Sequence, residues 1–194
     1  MEVKITKKFE VKEPVKPVWS FLSDPRKVVA CVPGAQIIEA LDERRYIGTV
    51  NVKVGPMVSS YKGELVIERL DDKNFVIELV GKGLDSRGKG SASMKMVGKL
   101  RALSHGGTEV TGSSEITVTG FMAQFGSRVI EEISNQMFEQ FTQSLQENLS
   151  GTGSFGSEEK NTQPLKAIPL LATASKTAVL DFLRRVTGRS RKDQ

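Results

Sequence analysis

Histidine and cysteine are almost absent from this 194-residue chain, which contains only His105 and Cys31. A single histidine in the turn SHGGT leaves no second imidazole or thiol for a zinc or facial-triad site. It also leaves Ser/His/Asp and Cys/His arrangements with one histidine to share and nothing aligned with it. A lone cysteine excludes an internal disulfide and fits a reducing compartment. Aromatic residues make up only 6% of the chain, with one tryptophan, Trp19, and two tyrosines, Tyr46 and Tyr61. No run of about 18 apolar residues is present, so no helical membrane span is expected. The N-terminus opens with alternating charged residues rather than the pattern of a signal peptide. GKGLDSRGKG (81–90) lacks the strand–loop–helix setting and the spacing of a phosphate-binding loop. No catalytic residue and no metal ligand emerges from these absences.

Charge is unevenly spread. Residues 151–194 carry a net +4 of the chain's +5, leaving residues 1–150 at +1. The basic character belongs to the tail, and the body offers no electrostatic footprint for nucleic acid. About 150 residues suffice for one domain with a real core.

The longest helical signal is 121–149, FMAQFGSRVIEEISNQMFEQFTQSLQENL. Phe125, Val129, Ile133, Met137, Phe141, Leu145 and Leu149 recur in it every four residues. Thr119 or Gly120 can cap its start, and Gly151 stands just past its end. At about 1.5 Å per residue it would run roughly 40 Å. Its apolar stripe drifts around the helix, as suits a curved sheet. Ahead of it, 2–11 alternates like a strand, followed by two short helices, one in PVKPVWSFLSDP and one in PRKVVACV. The period then becomes two. Strands are expected at 35–41, 45–54, 57–70, 74–84, 88–103 and 108–119, separated by turns rich in Gly, Asp and Pro. Seven antiparallel strands with one long closing helix predict an α+β, helix-on-sheet domain over 1–150.

One face of these strands is apolar at its ends and small in its middle, with glycines at 48, 63, 81, 83, 88, 90 and 112. A helix on a sheet normally needs large side chains to fill the gap. Two readings follow, and both can hold. The glycines let a long sheet curl, or they leave an apolar cavity of ordinary ligand size, roughly 300–1,000 Å³. In the second reading the cavity is lined by Trp19, Tyr61, Gly81, Gly90, Ala92, Met94, Met96, Met122, Phe125, Val129 and Ile133. Methionine adapts well to irregular apolar ligands. Cys31 reads as a packed thiol, His105 as exposed, and Asp85 with Arg87 as a hairpin closure.

The segments PVWSFLSDP (17–25), CVPGA (31–35), VKVGP (52–56), YKGE (61–64), GKG (81–83) and FGSRVI (125–130), in this order, carry a family likeness. The chain resembles the family of the carbon monoxide dehydrogenase G subunit, within the START/Bet v1-like helix-grip superfamily. That resemblance implies a seven-stranded curved sheet wrapped around the long helix, with an apolar cavity beneath it. It also implies a non-catalytic accessory protein beside a molybdenum hydroxylase-type dehydrogenase. Such a protein would bind a quinone, such as menaquinone, or another lipid. It would carry no covalently bound cofactor and would link the enzyme to the quinone pool at the cytoplasmic face of the membrane.

Two further segments complete the chain: a Gly/Ser-rich linker over 151–163 and a basic amphipathic tail over 164–194. In the tail Leu171, Val179, Phe182, Leu183 and Val186 gather toward one arc, with Lys176, Arg184, Arg185 and Arg189 outside it or at its edge. That pattern suits peripheral contact with anionic lipid; docking on protein and a solvated tail are the alternatives. Two other classes of function stay open for the body. One is a recruitment adaptor with a filled core. The other is a lipid binder or polyketide cyclase-like enzyme, for which Tyr46, Tyr61 and Ser114 are the inward polar candidates.

Overall fold

The computed structural model describes residues 1–151. Seven strands form one antiparallel sheet in the order β1-β7-β6-β5-β4-β3-β2. They are β1 (Glu2–Val11), β2 (Ala35–Ala40), β3 (Arg45–Val54), β4 (Met57–Asp71), β5 (Val76–Asp85), β6 (Ser91–Ala102) and β7 (Thr108–Val118). Two short helices, α1 (Val15–Leu22) and α2 (Pro25–Val28), join β1 to β2 through a 3-10 turn at Val29–Cys31. A second 3-10 segment, Gly120–Phe125, leads into α3 (Ser127–Leu149). This is the helix-on-sheet layout expected from the alternation, and the helix-grip fold that the resemblance implies.

Strand ends shifted by up to three residues, the most at the start of β6 (Ser91 rather than 88), and three boundary changes have a clear local reason. The 121–149 helix is broken at Gly126, whose φ of 81° and ψ of 168° stop the helical path and split off the 3-10 turn. Gly126, rather than Thr119 or Gly120, therefore precedes α3. Strand β5 begins at Val76 rather than 74, because Asp71 Oδ1 accepts from the Asn74 amide at 3.0 Å and Phe75 sits at φ 52°. The 25–32 helix shortens to one turn of α2, capped by Asp24, whose carboxylate accepts from the Arg26 amide, followed by the 3-10 turn. At the far end of α3, Gly151 takes φ 73°, as a closing residue should.

Pleating places Val3, Ile5, Lys7, Phe9 and Val11 of β1 toward the helix, and register carries that face across the sheet. One row reads Ile5, Ser114, Met96, Leu79, Ile67 from β1 through β7, β6 and β5 to β4. Another, Gly48, Gly63, Gly83, Ala92, Val118, puts three glycines side by side on β3, β4 and β5. At Gly63 a side chain would fall on the Lys82 carbonyl, so here the glycine permits close strand approach and curling. The α3 backbone approaches β1, α1 and the Val29–Cys31 turn. Phe9 pins it edge-on to Phe138 and Phe141, at centroid distances of 5.6 and 6.3 Å.

The apolar interior is not one continuous core. One cluster joins Val3, Val54, Tyr61, Val118, Met122, Ile130 and Ile133, near the start of α3. A second joins Val11, Val18, Trp19, Tyr46, Ile67, Ile77, Leu100 and Val110, beneath α1. A small third cluster of Phe21, Cys31 and Leu145 ties the C-terminal half of α3 to the short helices.

Candidate interior binding site

Between the two large clusters lies a band of the concave face where burial is incomplete. Met94, Met96, Gly112 and Ser114 are half-buried and belong to neither cluster. At Gly112 an added Cβ would meet no heavy atom within 4 Å, and at Gly81 only Leu65 Cδ1 at 3.9 Å. These two glycines leave space, whereas Gly63 closes it. Curling and space thus come from different glycines of the same face.

The structure distributes the predicted lining residues as follows. Tyr61, Met122 and Ile133 are buried together, with Ala92, Phe125 and Val129 packed against them. Met94, Met96 and Gly81 face the open band. Trp19, on α1, belongs to the other cluster, where its indole donates to Asp72 Oδ1 at 2.7 Å and its ring meets Phe75 edge-on at 5.7 Å. Gly90 stands just before β6 with φ 145°, and a side chain there would strike the Thr119 carbonyl, so that position serves the junction with the 3-10 turn. The tail residues Leu171, Lys176, Val179, Phe182, Leu183, Arg184, Arg185, Val186 and Arg189 lie outside the described residues.

Polar groups near the interior are few. The Tyr46 hydroxyl donates to the Glu43 carbonyl at 3.0 Å, which commits it to the β2–β3 turn. Burial, and then the nearby Asp85 charge, push the Tyr61 phenol up from its ordinary value. Asp85 is itself held in its turn, accepting from the amides of Arg87 at 2.9 Å and Lys89 at 3.3 Å. Sequence reasoning missed Lys7. Its ammonium lies 5.7 Å from the centre of the Phe138 ring, half-buried and opposite Gly112 in the β1–β7 register. The signal was present, since Lys7 shares the phase of Ile5 and Phe9.

Elsewhere, Cys31 is buried, and burial pushes its thiol up to about 11, with Asn148 Nδ2 3.6 Å from the sulfur. His105 is exposed. Among the described residues no three His, Cys, Asp or Glu converge as a metal site, and no helix is long and apolar enough to cross a membrane. Among the described residues, two surface clefts are lined without α3. One, of about 510 Å³, surrounds the Asp42–Arg45 turn; the other, of about 480 Å³, crosses β1, β7, β6, β5 and β4, lined by charged residues such as Lys4, Glu115, Lys95 and Glu78 together with Met96 and Ser114.

Residues 8–150 match the family described as the carbon monoxide dehydrogenase G subunit, CoxG. The chain belongs to that family. As a CoxG family member it also shares its fold with several solved structures. A conserved protein from Geobacillus kaustophilus superposes with a TM-score of 0.70 at 20% identity, covering 78% of this chain and 98% of that one. The Zhui aromatase/cyclase from Streptomyces sp. R1128 gives 0.58 at 12% identity, covering 79% and 100%. A START superfamily protein from Mycobacterium smegmatis gives 0.54 at 10% identity, covering 77% and 98%. At these identities the likeness establishes the fold alone. No curated protein matches the chain.

Proposed function

We propose that this CoxG family domain is a non-catalytic carrier that holds a lipophilic molecule, a quinone such as menaquinone or a related lipid, in the band between its two apolar clusters. The observation that carries this reading is the discontinuity of the core. Gly81 and Gly112 leave space beside the half-buried Met94 and Met96, with a buried apolar cluster on either side. Each methylene moved from water into that space contributes about 0.8 kcal/mol. The Lys7 ammonium and the Ser114 hydroxyl offer donors to the oxygens of a quinone or acid headgroup. The family name supports a partner, a molybdenum-containing carbon monoxide dehydrogenase or related hydroxylase, to or from which the carrier passes its cargo. The basic tail would hold the protein at the inner face of the membrane, against anionic lipid.

The cyclase reading has weaker support. With the Tyr46 hydroxyl committed to Glu43, Tyr61 and Ser114 alone remain of its inward polar candidates, in separate parts of the interior. The test is direct. Full-length protein incubated with native membrane lipid is extracted with organic solvent, and bound lipophiles are identified by mass spectrometry. The expected result is a near-equimolar quinone, lost in Gly112→Leu and Gly81→Leu variants that still fold. A phospholipid or fatty acid would redirect the reading to general lipid binding. An empty extract from the unmodified protein would leave the adaptor with a filled core.

A further inference from the structure

One end of the domain is built differently from the rest of its surface. There the β3–β4 hairpin, the β5–β6 turn and the Gly120–Phe125 segment meet: the Ser86 amide donates to the Ser60 carbonyl and the Phe121 amide to the Lys89 carbonyl, both at 2.8 Å. Three apolar side chains project from these tips. Leu84 is 69% exposed, the most of any large hydrophobic residue described, with Val58 at 39% and Met57 at 37%. Register sets cations beside them, with Lys62 opposite Leu84 and Lys53 opposite Val58. Arg87 and Lys89 extend from the β5–β6 turn, with the Lys89 ammonium 5.6 Å from the centre of the Phe121 ring. None of these four cations forms an ion pair among the described residues. The carboxylate of that turn, Asp85, is buried and spent on backbone amides.

The opposite end shows what is unusual here. Ile38, Leu41 and Leu70 are also exposed there, but acidic side chains outnumber the cations. Arg45 pairs with Asp42 and Arg69 with both Asp71 and Glu78, while Glu39, Glu43 and Asp72 stand near Arg44 and Lys73, which are unpaired among the described residues. Apolar tips collared by unneutralised cations match the requirements of a phospholipid interface: shallow burial of a few side chains and attraction to anionic headgroups. They fall short of a stable protein interface, which buries about 1,200–2,000 Å² around a larger, charge-depleted apolar core.

We propose that this tip, made by Met57, Val58 and Leu84 with Lys53, Lys62, Arg87 and Lys89, docks the folded domain on an anionic phospholipid surface, separately from any contact made by residues 152–194. The docking holds whatever the interior carries.

The test uses the full chain with an environment-sensitive fluorophore on Leu84→Cys and, as its control, on Leu70→Cys at the opposite end. Cys31 is buried, so the label goes to the introduced thiol. With vesicles of phosphatidylglycerol and phosphatidylcholine, emission from position 84 is expected to shift blue and to be quenched by a lipid-borne quencher, while position 70 stays unchanged. The shift should vanish on pure phosphatidylcholine. Arg87→Gln and Lys89→Gln should each weaken the position-84 response by about five-fold. Vesicle binding with no change at position 84, or equal changes at 84 and 70, would overturn the proposal. So would a chain that does not bind the vesicles. A shift at 84 with poly-L-glutamate but not with vesicles would reassign the tip to an acidic protein partner, which also overturns it.

Discussion

The closed end of the interior and its open band are built from the same strands, yet they differ in how completely they are filled. Under α1 and the C-terminal half of α3, Val18, Leu145 and Thr108 reach 0% exposure. Polar groups there are paired: the Thr108 hydroxyl donates to the Glu13 carbonyl at 2.7 Å, and the Trp19 indole to Asp72. A few residues along the same strands, Gly112 has no neighbour for a side chain, and Met94 and Met96 are half-buried. Alternation is intact in both regions, so the pattern of apolar residues does not distinguish them; side-chain volume does. Large residues at the closed end build the rigid scaffold, and small or flexible ones in the band leave room.

The largest effect should come from breaking the closed end. Leu145→Ala removes a fully buried side chain held between Phe21, Cys31, Phe141 and Leu149, and should cost about 2–5 kcal/mol in denaturant unfolding. Met96→Ala in the band should cost clearly less, because the lost atoms have fewer partners. Equal losses at the two sites would mean that the band is packed like a core, and the comparison would fail.

Much of the fold was legible in the sequence, because period two and turn residues are local signals. All seven strands lie within three residues of their expected bounds, and Gly151 ends the long helix as read. What escaped depends on three-dimensional context. Gly126 looks like one more small residue in a helical stripe, and only its positive φ reveals the break. The spacing of Trp19 gave its face of α1 but not the end of the interior that α1 covers. Gly90 and Gly112 are indistinguishable as letters, though one abuts the Thr119 carbonyl and the other faces empty space. Lys7 was passed over because a lysine on an apolar phase reads as an interruption rather than as an inward ammonium on a phenyl ring.

Trp19→Phe tests the closed end more gently. The ring can keep its edge contact with Phe75 while the 2.7 Å hydrogen bond to Asp72 is lost. A cost of about 1–2 kcal/mol is expected, since the exposed carboxylate can rehydrate. Gly112→Leu sharpens the other side of the comparison. Its Cβ site is open and its backbone is an ordinary strand, so stability should change by less than about 1 kcal/mol, with thermal unfolding as the measurement. A loss of about 3 kcal/mol or more would show overpacking, and with it a filled core.

The smallest effect is expected at the surface of the closed end, in the Asp71–Asn74 turn. Side-chain hydrogen bonding from Asn74, then from Arg69, holds the Asp71 carboxyl down at about 2. A carboxylate lowered by folding contributes stability above its unfolded value, close to 4, and that contribution is lost as pH falls through about 2. Because the turn lies at the surface, solvent screens much of the gain. Asp71→Asn should therefore lower the neutral-pH melting temperature slightly and flatten its shallow decline between about pH 4 and pH 2. The same substitution should leave any lipophile in the band undisturbed, since this turn lies beyond Ile67 at the filled end of the sheet. An equal acid decline in Asp71→Asn and the parent would show that the turn's hydrogen bonds add no net stability, and that the decline belongs to other carboxylates such as Asp42 and Glu109.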